Sequence, residues 1–380
     1  MLTVSATEGA GDIPTAVGES LSNTFEPGDV LFGKLRPYLA EAWIAQFSGR
    51  CTTELIVMES VDFESRFLRY ICLSRDFVDA VDASTFGSKM PRADWNFIGN
   101  MPIPLPSIRH QRAIADYLDR ETARLDGLIA AKERLLGLLA EKRGALITRA
   151  VTRGVDPNVP LRDSGVPWLG EIPAHWEARR IALLFRERDE RGEPQLPLLE
   201  VSINAGVVLR EISDDHIEST AADFNTYKVA RTGDVVFNKM RMWQGAVGIA
   251  PEEGLVSPDY IVAVPLGNLS SDYAGHFFRT QMFSAECARH SHGIVWDRLR
   301  LYWEGFRDLV VPLPSHDEQR AIVSHIATET AKLDALRAAA ERTIALLKER
   351  RAAVVATAVT GQIGVAEAGS GGLTGGKHED

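Results

Sequence analysis

The sequence predicts an α+β protein built by duplication, in which each of two globular segments is followed by a long helix. The main observation is an internal repeat. Residues 104–114 return as residues 312–322, and both copies read Pro-Leu-Pro-Ser, three further residues, then Gln-Arg-Ala-Ile. The similarity continues without a gap to Ala-Val-Thr at 150–152 and 358–360. In a protein made of two such copies, each copy is expected to perform the same function at its own site.

An upstream block repeats as well, because residues 28–36 and 233–241 both begin with Gly-Asp-Val and end in Lys-x-Arg. A chain of 380 residues exceeds one ordinary core, so two domains are expected. The first globular segment is shorter at its front than the second, and we expect it to be truncated at its N-terminus. The expected segments are a first domain at 1–106, a first long helix at 107–153, a linker and second domain at 154–314, a second long helix at 315–361, and a disordered Gly-rich tail at 362–380.

Both long helices carry a heptad seam, in which apolar residues recur at alternating steps of four and three. Ser107 and Ser315 are suited to N-capping, and Ser315 with Glu318 fits a capping box. Gly154 and Gly361 stand where a glycine would end each helix. The predicted seam comprises Ile114, Leu118, Leu125, Leu128, Leu135 and Leu139 in the first helix, and Ile322, Ile326, Leu333, Leu336 and Leu347 in the second.

Neither helix is expected to be stable alone. Charges interrupt the seams, and Gly127, Gly137 and Gly144 each cost up to about 1 kcal/mol relative to alanine. We therefore expect the two seams to pair as an antiparallel coiled coil, since each helix follows its own globular segment. Two other arrangements stay open: separate docking of each helix on its own domain, and self-association of one seam between chains.

Composition excludes several classes of protein. Hydrophobic residues make up 45% and charged residues 25%, as in globular proteins, and no apolar run approaches about 18 residues, so we expect a cytoplasmic protein with no membrane partner. The cysteines (Cys51, Cys72 and Cys287) are scattered, which favours reduced thiols. A net charge of −10 is unfavourable for binding nucleic acid. The stretch 107–153, however, has ten basic and six acidic residues, so a local basic face is compatible with the acidic average.

No catalytic constellation is present in the sequence. It lacks a Gly-rich turn of the dinucleotide or S-adenosylmethionine type, an Asn-Pro-Pro-aromatic motif and HExxH. A partial phosphate-loop match at 371–377 has His378 in place of the required Ser or Thr. His290 and His292 have no Cys or carboxylate partners at ligand spacing. The sequence therefore predicts a binding module without catalytic residues, metal or cofactor.

Each copy contains two short segments that combine basic residues with bulky or small polar ones. Arg and Lys can bind phosphates or guanine, and Gln can read adenine. Taken singly, each segment is better explained as solvated surface, but recurrence at matching places raises contact with nucleic acid to at least an equal alternative. The candidate residues are Lys34, Arg36, Tyr38, Ser88, Lys89 and Arg92 in the first copy, and Lys239, Arg241, Trp243, Gln244, Ser291, His292, Trp296 and Arg298 in the second.

Taken together, these features resemble the DNA-specificity subunit of type I restriction–modification enzymes. The resemblance is carried by the segment 164–176, which reads Ser-Gly-Val-Pro-Trp-Leu-Gly-Glu-Ile-Pro-Ala-His-Trp. It is also carried by the two Pro-Leu-Pro to Gln-Arg-Ala-Ile transitions and by the helix end Ala-Val-Thr-Arg-Gly at 150–154. It covers nearly the whole chain.

The resemblance implies two target-recognition domains that each read one half of a bipartite site in double-stranded DNA. The paired helices would act as a spacer and as the docking site for two modification (methyltransferase) subunits, around which ATP-driven restriction subunits assemble. The subunit itself would have no catalytic activity. The first copy departs from the pattern because it has no counterpart of 164–176, so a degenerate subunit that reads a single half-site is one alternative.

Two readings from other classes stay open. A coiled-coil scaffold or adaptor with no DNA role would leave no DNA footprint. A methyltransferase or nuclease in its own right would need a cofactor or metal site, and binding of S-adenosylmethionine by the isolated chain would support it.

Overall fold

The computed structural model describes residues 22–59, 61–85, 90–210, 224–293, 295 and 299–363, and it confirms the α+β class. The chain divides into two compact units. The first contains the chain up to Glu133 together with the chain from Arg342 onward, and the second contains Arg134–Glu341. Each unit thus holds one globular segment, the first half of the helix that follows it and the second half of the other helix. The units do not follow chain order, which segmentation of the sequence did not anticipate.

The first unit contains a small antiparallel sheet with the strand order β3-β2-β5, and a separate pair formed by β1 and β4. A helical hairpin, α1 and α2, packs against this sheet and encloses the first core. The elements are β1 (Ser22–Phe25), β2 (Val30–Gly33), β3 (Ala42–Ile44), β4 (Gly49–Thr52), β5 (Leu55–Met58), α1 (Ser65–Leu73), α2 (Arg75–Ala83) and α3 (Trp95–Gly99).

The long helices are α4 (Ile108–Arg153) and α8 (His316–Val359). The predicted capping box is confirmed, because the backbone amide of Ser315 donates to Glu318 Oε2 over 3.1 Å and the Ser315 hydroxyl lies 3.4 Å from the Glu318 amide. Gly154 and Gly361 follow the two helices with φ of 73° in both cases. This left-handed backbone conformation favours glycine and ends each helix as predicted.

The second unit repeats this plan and extends it. Its main sheet has the order β14-β13-β16-β9, in which β14, β13 and β16 correspond to β3, β2 and β5. Among the described residues, the first unit has no counterparts of β6 to β11. The elements are β6 (Leu161–Asp163), β7 (Glu171–Pro173), β8 (Glu177–Arg180), β9 (Phe185–Arg188), β10 (Leu199–Ser202), β11 (Gly206–Leu209), β12 (Lys228–Ala230), β13 (Val235–Asn238), β14 (Val247–Ile249), β15 (Gly254–Val256), β16 (Tyr260–Pro265), α5 (Ser271–Phe278), α6 (Gln281–Arg289), α7 (Trp303–Arg307) and β17 (Val310–Leu313).

The helix segments within each unit run antiparallel. In the first unit, Arg351 Nε lies 2.8 Å from Asp126 Oδ1, and Lys348 Nζ lies 3.8 Å from Glu133 Oε1. Residue numbers therefore rise along α4 as they fall along α8. In the second unit, Arg143 Nη1 lies 2.6 Å from Asp334 Oδ1. Farther along α4, its end shares a core with the first turns of α8. The predicted antiparallel pairing is confirmed within each unit.

Most of the predicted seam residues are buried, but three of them are exposed. Ile114, Leu118, Leu125, Leu139, Ile322, Ile326 and Leu333 are buried, and Leu347 is half-buried. Leu128, Leu135 and Leu336 are instead exposed by 42%, 37% and 56%. The seam passes through the adjacent residues Ile129 and Leu136, and in α8 through Ile344. The adjacent apolar residues Leu128 and Ile129, and likewise Leu135 and Leu136, offer two apolar rows with the same period, and periodicity alone does not decide between them.

The repeated Ala-Val-Thr at the end of each helix has a packing explanation. Ala150 and Val151 lie in the core of the second unit, and the carbonyl of Val151 accepts a 2.7 Å hydrogen bond from the buried Tyr273 hydroxyl. Their repeat partners, Ala358 and Val359, lie in the core of the first unit. Each helix end is thus buried in the unit built on the other repeat, where a small and a β-branched side chain fit against aromatic and aliphatic neighbours.

Candidate nucleic-acid interface

The two basic loops predicted from the sequence have the same layout, although the backbone of Arg36 is left-handed (φ 55°) and that of Arg241 is not (φ −127°). Each follows the central strand of its sheet and closes in a 3-10 turn, at Pro37–Leu39 in the first unit and Met242–Gln244 in the second. Pro37 and Met242 are buried and anchor the turns. We refer to residues 34–39 as the first basic turn and to residues 239–244 as the second basic turn.

In the first unit, the structure places the second predicted segment beside the first basic turn. The backbone amide of Arg36 donates to the Pro91 carbonyl over 2.9 Å, and the amide of Ala93 donates to the Lys34 carbonyl over 2.8 Å. Arg92 lies on this connection and faces Glu54, with Nε and Oε2 3.1 Å apart. Lys34, Arg36 and Arg92 therefore share one surface. Ser88 and Lys89 lie outside the described residues.

The corresponding surface of the second unit shares one of these two backbone connections. The amide of Leu301 donates to the Lys239 carbonyl over 2.9 Å, and His292 and Arg300 exchange two backbone hydrogen bonds of 2.9 Å. The ring of His292 lies 6.3 Å from that of Tyr302. The second basic turn thus lies beside a two-residue bridge that carries one histidine and one arginine. Trp296 and Arg298 lie outside the described residues.

The basic residues of these surfaces differ in how they are paired. Lys239 Nζ lies 3.3 Å from Asp259 Oδ1 and 5.9 Å from the centre of the Tyr302 ring. Arg36 and Arg241 are exposed, and neither forms an ion pair with a described residue. These two arginines occupy equivalent positions, each immediately before its 3-10 turn. They are the side chains of the two surfaces that are best placed to accept a phosphate or a base edge.

Two of the predicted residues also make hydrogen bonds within the second unit. The Trp243 indole N–H donates to the Met240 carbonyl over 3.0 Å, which holds the turn closed. The Ser291 hydroxyl donates to the Cys287 carbonyl over 2.7 Å at the end of α6. Tyr38 and Gln244 are exposed and remain candidates. Prediction from the sequence missed Arg300 and Tyr302, both exposed, whose signal was their position just after the predicted segment.

The motif at 164–176 contacts the start of α8 rather than a basic turn. The Trp176 indole N–H donates to Glu318 Oε1 over 2.9 Å, and His175 Nε2 lies 2.7 Å from the same oxygen. Burial alone would raise the pKa of Glu318, but the hydrogen bonds from Trp176, His175 and Ser315 lower it to about 2. The motif therefore ties the domain to its helix.

Within the described part of the chain, no group of three or more His, Cys, Asp or Glu side chains is arranged to hold a metal ion. His290 contacts Glu286 instead, with Nε2 and Oε1 3.3 Å apart. No helix among the described residues is long and apolar enough to cross a membrane.

Comparison with known proteins identifies similar chains. No protein-family model matches the sequence. The chain is 21% identical over 168 residues to the EcoDI specificity subunit of a type I restriction enzyme from Escherichia coli, a match that covers 44% of this chain and 34% of that subunit. The match thus spans about a third of that relative's length.

Solved structures share the fold over most of the chain. One belongs to a type I restriction–modification system studied for its complex assembly and conformational transition, with a TM-score of 0.68, 19% identity, and coverage of 90% of this chain and 83% of that one. The HsdS subunit of Thermoanaerobacter tengcongensis gives a TM-score of 0.51 at 19% identity, covering 90% of this chain and 82% of the other. In part of its sequence and in its fold, the chain resembles the specificity subunits of type I restriction–modification enzymes.

Proposed function

We propose that this chain is the non-catalytic subunit that recognises the DNA sequence in a cytoplasmic type I restriction–modification complex. The observation that carries the proposal is the duplicated basic surface. Arg36 and Arg241 stand exposed at the same position of two equivalent units, each on a 3-10 turn braced by a second basic segment. Two equivalent surfaces on one chain are what a reader of a bipartite target requires. The similarity to the EcoDI specificity subunit supports the proposal.

Each unit would read one half of the target through its basic turn. An arginine can pair with guanine in a bidentate manner, and neighbouring lysines can neutralise phosphates. The net charge of −10 is compatible with this role if partner subunits supply further phosphate contacts. The smaller first unit, which has no described counterparts of β6 to β11, leaves room for the alternative that only the second unit reads DNA.

The long helices would dock the two modification subunits, around which the restriction subunits assemble. Exposed leucines on both helices support this assignment: Leu128, Leu135, Leu138, Leu336 and Leu346. A contiguous patch of such side chains on a helix would mark a contact with another protein, whereas single exposed leucines would not. Methyl transfer and ATP-dependent cleavage would reside in those partners.

The proposal is tested by a methylome. The chain is produced with its neighbouring modification subunit in a host free of DNA methylation, and modified bases are mapped by long-read sequencing. We expect a split motif with two defined halves and a constant gap. Methylation at a single half-site would favour the degenerate reader. Absence of methylation, together with absence of a DNA footprint, would favour the scaffold.

A further inference from the structure

A buried glutamine connects each long helix to its own domain. In the second unit, Gln319 is only 1% exposed, and all of its polar atoms are used. Its Oε1 accepts a hydrogen bond from the Ser270 amide over 2.7 Å, and its Nε2 donates to the carbonyls of Asn268 at 3.0 Å and Pro314 at 2.9 Å. The side chain thus joins the first turn of α8 to the loop that precedes α5.

The first unit contains the same arrangement. Gln111 is also 1% exposed. Its Oε1 accepts from the Glu64 amide over 2.8 Å, and its Nε2 donates to the carbonyls of Asp62 at 3.2 Å and Pro106 at 2.9 Å. Each partner occupies the position that corresponds to its counterpart in the second unit. We refer to each buried glutamine and its three hydrogen bonds as the bracket. Because it occurs at matching positions in both units, the bracket is a feature of the duplicated unit.

The bracket is connected to the basic turn through the helices that pack between them. Ser270 and Glu64 are the N-cap residues of α5 and α1, and their side chains accept hydrogen bonds from the first turns of those helices. The next helices, α6 and α2, pack directly against the 3-10 turns Met242–Gln244 and Pro37–Leu39. In each unit, the glutamine thus fixes the helical hairpin on which the basic turn rests.

Base readout depends on such fixation, because side chains must be held within about 0.5 Å and 10–20° of the productive geometry. An amide with three good hydrogen bonds in a buried site has one low-energy orientation, and breaking it leaves buried donors and acceptors unpaired. A purely structural glutamine would affect only the amount of folded protein. A positioning glutamine would also affect which bases are accepted.

We propose that Gln111 and Gln319 are positioning residues, each of which sets the base preference of the half-site read by its own unit. The inference rests on the proposed function and deepens it. Neither residue belongs to the surface that would touch DNA, so neither is a reader itself.

The test compares Gln111→Leu and Gln319→Leu in the full chain, produced with the modification subunit and read out by the methylome. The matched controls are Val359→Ala and Val151→Ala. These are equivalent residues, 4% and 0% exposed, that lie in the two cores. Each substitution shortens an apolar side chain and leaves the backbone in place, including the Val151 carbonyl that accepts from Tyr273, so the hydrogen bonds of the glutamines are kept. Thermal unfolding of each purified variant measures the loss of stability separately. If Gln319→Leu does not accumulate as folded protein, Gln319→Glu keeps the acceptor opposite Ser270 and is measured in its place.

We expect Gln319→Leu to weaken base discrimination about tenfold in one half of the motif and to leave the other half unchanged, which is the size of one lost base contact. Gln111→Leu should do the same in the opposite half. The valine controls should lower the level of methylation without altering preference in either half. Unchanged preferences in both glutamine variants, or equal broadening in the valine controls, would overturn the inference alone. A wild-type chain that directs no split motif would instead refute the proposed function, and the inference with it.

Discussion

His175 Nε2 and Glu318 Oε1 lie 2.7 Å apart, which joins the segment before β8 to the first turn of α8 across 143 residues of sequence. Glu318 also receives the Trp176 indole N–H and, through its other oxygen, both the amide and the hydroxyl of Ser315. One carboxylate therefore caps the helix and holds the domain against it. The arrangement makes the stability of the second unit depend on the ionisation of Glu318.

This dependence can be measured as a function of pH. Glu318 has an ordinary pKa of 4.5, and in the folded protein its pKa is lowered to about 2. A carboxyl whose pKa is lower in the folded state contributes stability in full above about pH 4.5 and loses it as the pH falls towards 2. At pH 7 we expect the free energy of unfolding in urea to be higher for the wild type than for Glu318→Gln. This difference should shrink by pH 3. A difference that stays constant over this range would exclude the ionised cap.

The position of the seam can be tested with neighbouring leucines of α4. Leu125 is fully buried, whereas Leu128 is 42% exposed. We expect Leu125→Ala to lower the free energy of unfolding by about 2–5 kcal/mol, because it removes buried methyl groups and leaves a cavity. Leu128→Ala, the matched control on the same helix, should change it by less than about 0.5 kcal/mol. If chemical unfolding shows equal losses of free energy for the two variants, Leu128 is buried in the seam as Leu125 is.

Leu128 and Leu336 are both exposed, so substituting them should affect partner binding without unfolding the chain. We expect the pair Leu128→Glu and Leu336→Glu to weaken association with the modification subunit, since charges would replace exposed apolar contacts. Circular dichroism and the unfolding temperature of the chain alone should stay close to the wild type. Co-purification measures the association. Normal co-purification would place the docking surface elsewhere on the helices.

The second basic turn should contribute to the salt dependence of DNA binding. We expect Lys239→Ala with Arg241→Ala to weaken binding to duplex DNA and to reduce the slope of log affinity against log salt by about 2, one per lost phosphate contact. Arg179→Ala with Arg180→Ala, on β8, removes the same charge outside the basic turn and should leave the slope nearer the wild type. Fluorescence anisotropy of labelled duplex DNA at several salt concentrations measures both slopes. Identical slopes for the two double variants would remove the turn from the interface.

The residue that follows each 3-10 turn has a left-handed backbone in both units, but it is an alanine in the first unit and a glycine in the second. This difference in residue type predicts opposite effects of substitution on stability. Ala40 ends the first turn with φ of 51°, and Gly245 ends the second with φ of 83°. A left-handed conformation costs an L-residue about 1–2 kcal/mol, so Ala40→Gly should stabilise the first unit and Gly245→Ala should destabilise the second by about that amount. A Cβ at Gly245 would meet only the Ser284 hydroxyl, at 3.5 Å, so sterics add little. Thermal unfolding of both variants shows whether each substitution raises or lowers the unfolding temperature.

The interiors of the long helices show where prediction from the sequence reaches its limit. Spacing identified the helices, their capping box and their terminal glycines, because these signals act within one or two turns of the chain. It placed Leu128 in the seam although the row through Ile129 has the same period, and the structure buries Ile129 instead. Only the surface of the opposing helix decides which of them is buried.

The sequence by itself determined the duplication, the α+β class, the two long helices and the resemblance to specificity subunits, all of which are encoded in local patterns and their recurrence. Tertiary structure alone decided that Gln111 and Gln319 are buried brackets, that His175 and Trp176 hold Glu318, and that each Ala-Val-Thr is buried in the unit of the other repeat. The physical reason is that these roles depend on partners far away along the chain, with separations from 47 to 143 residues for the hydrogen bonds of Gln111, Gln319 and His175. No local spacing rule specifies a partner at that separation, and the partner appears only when the chain has folded.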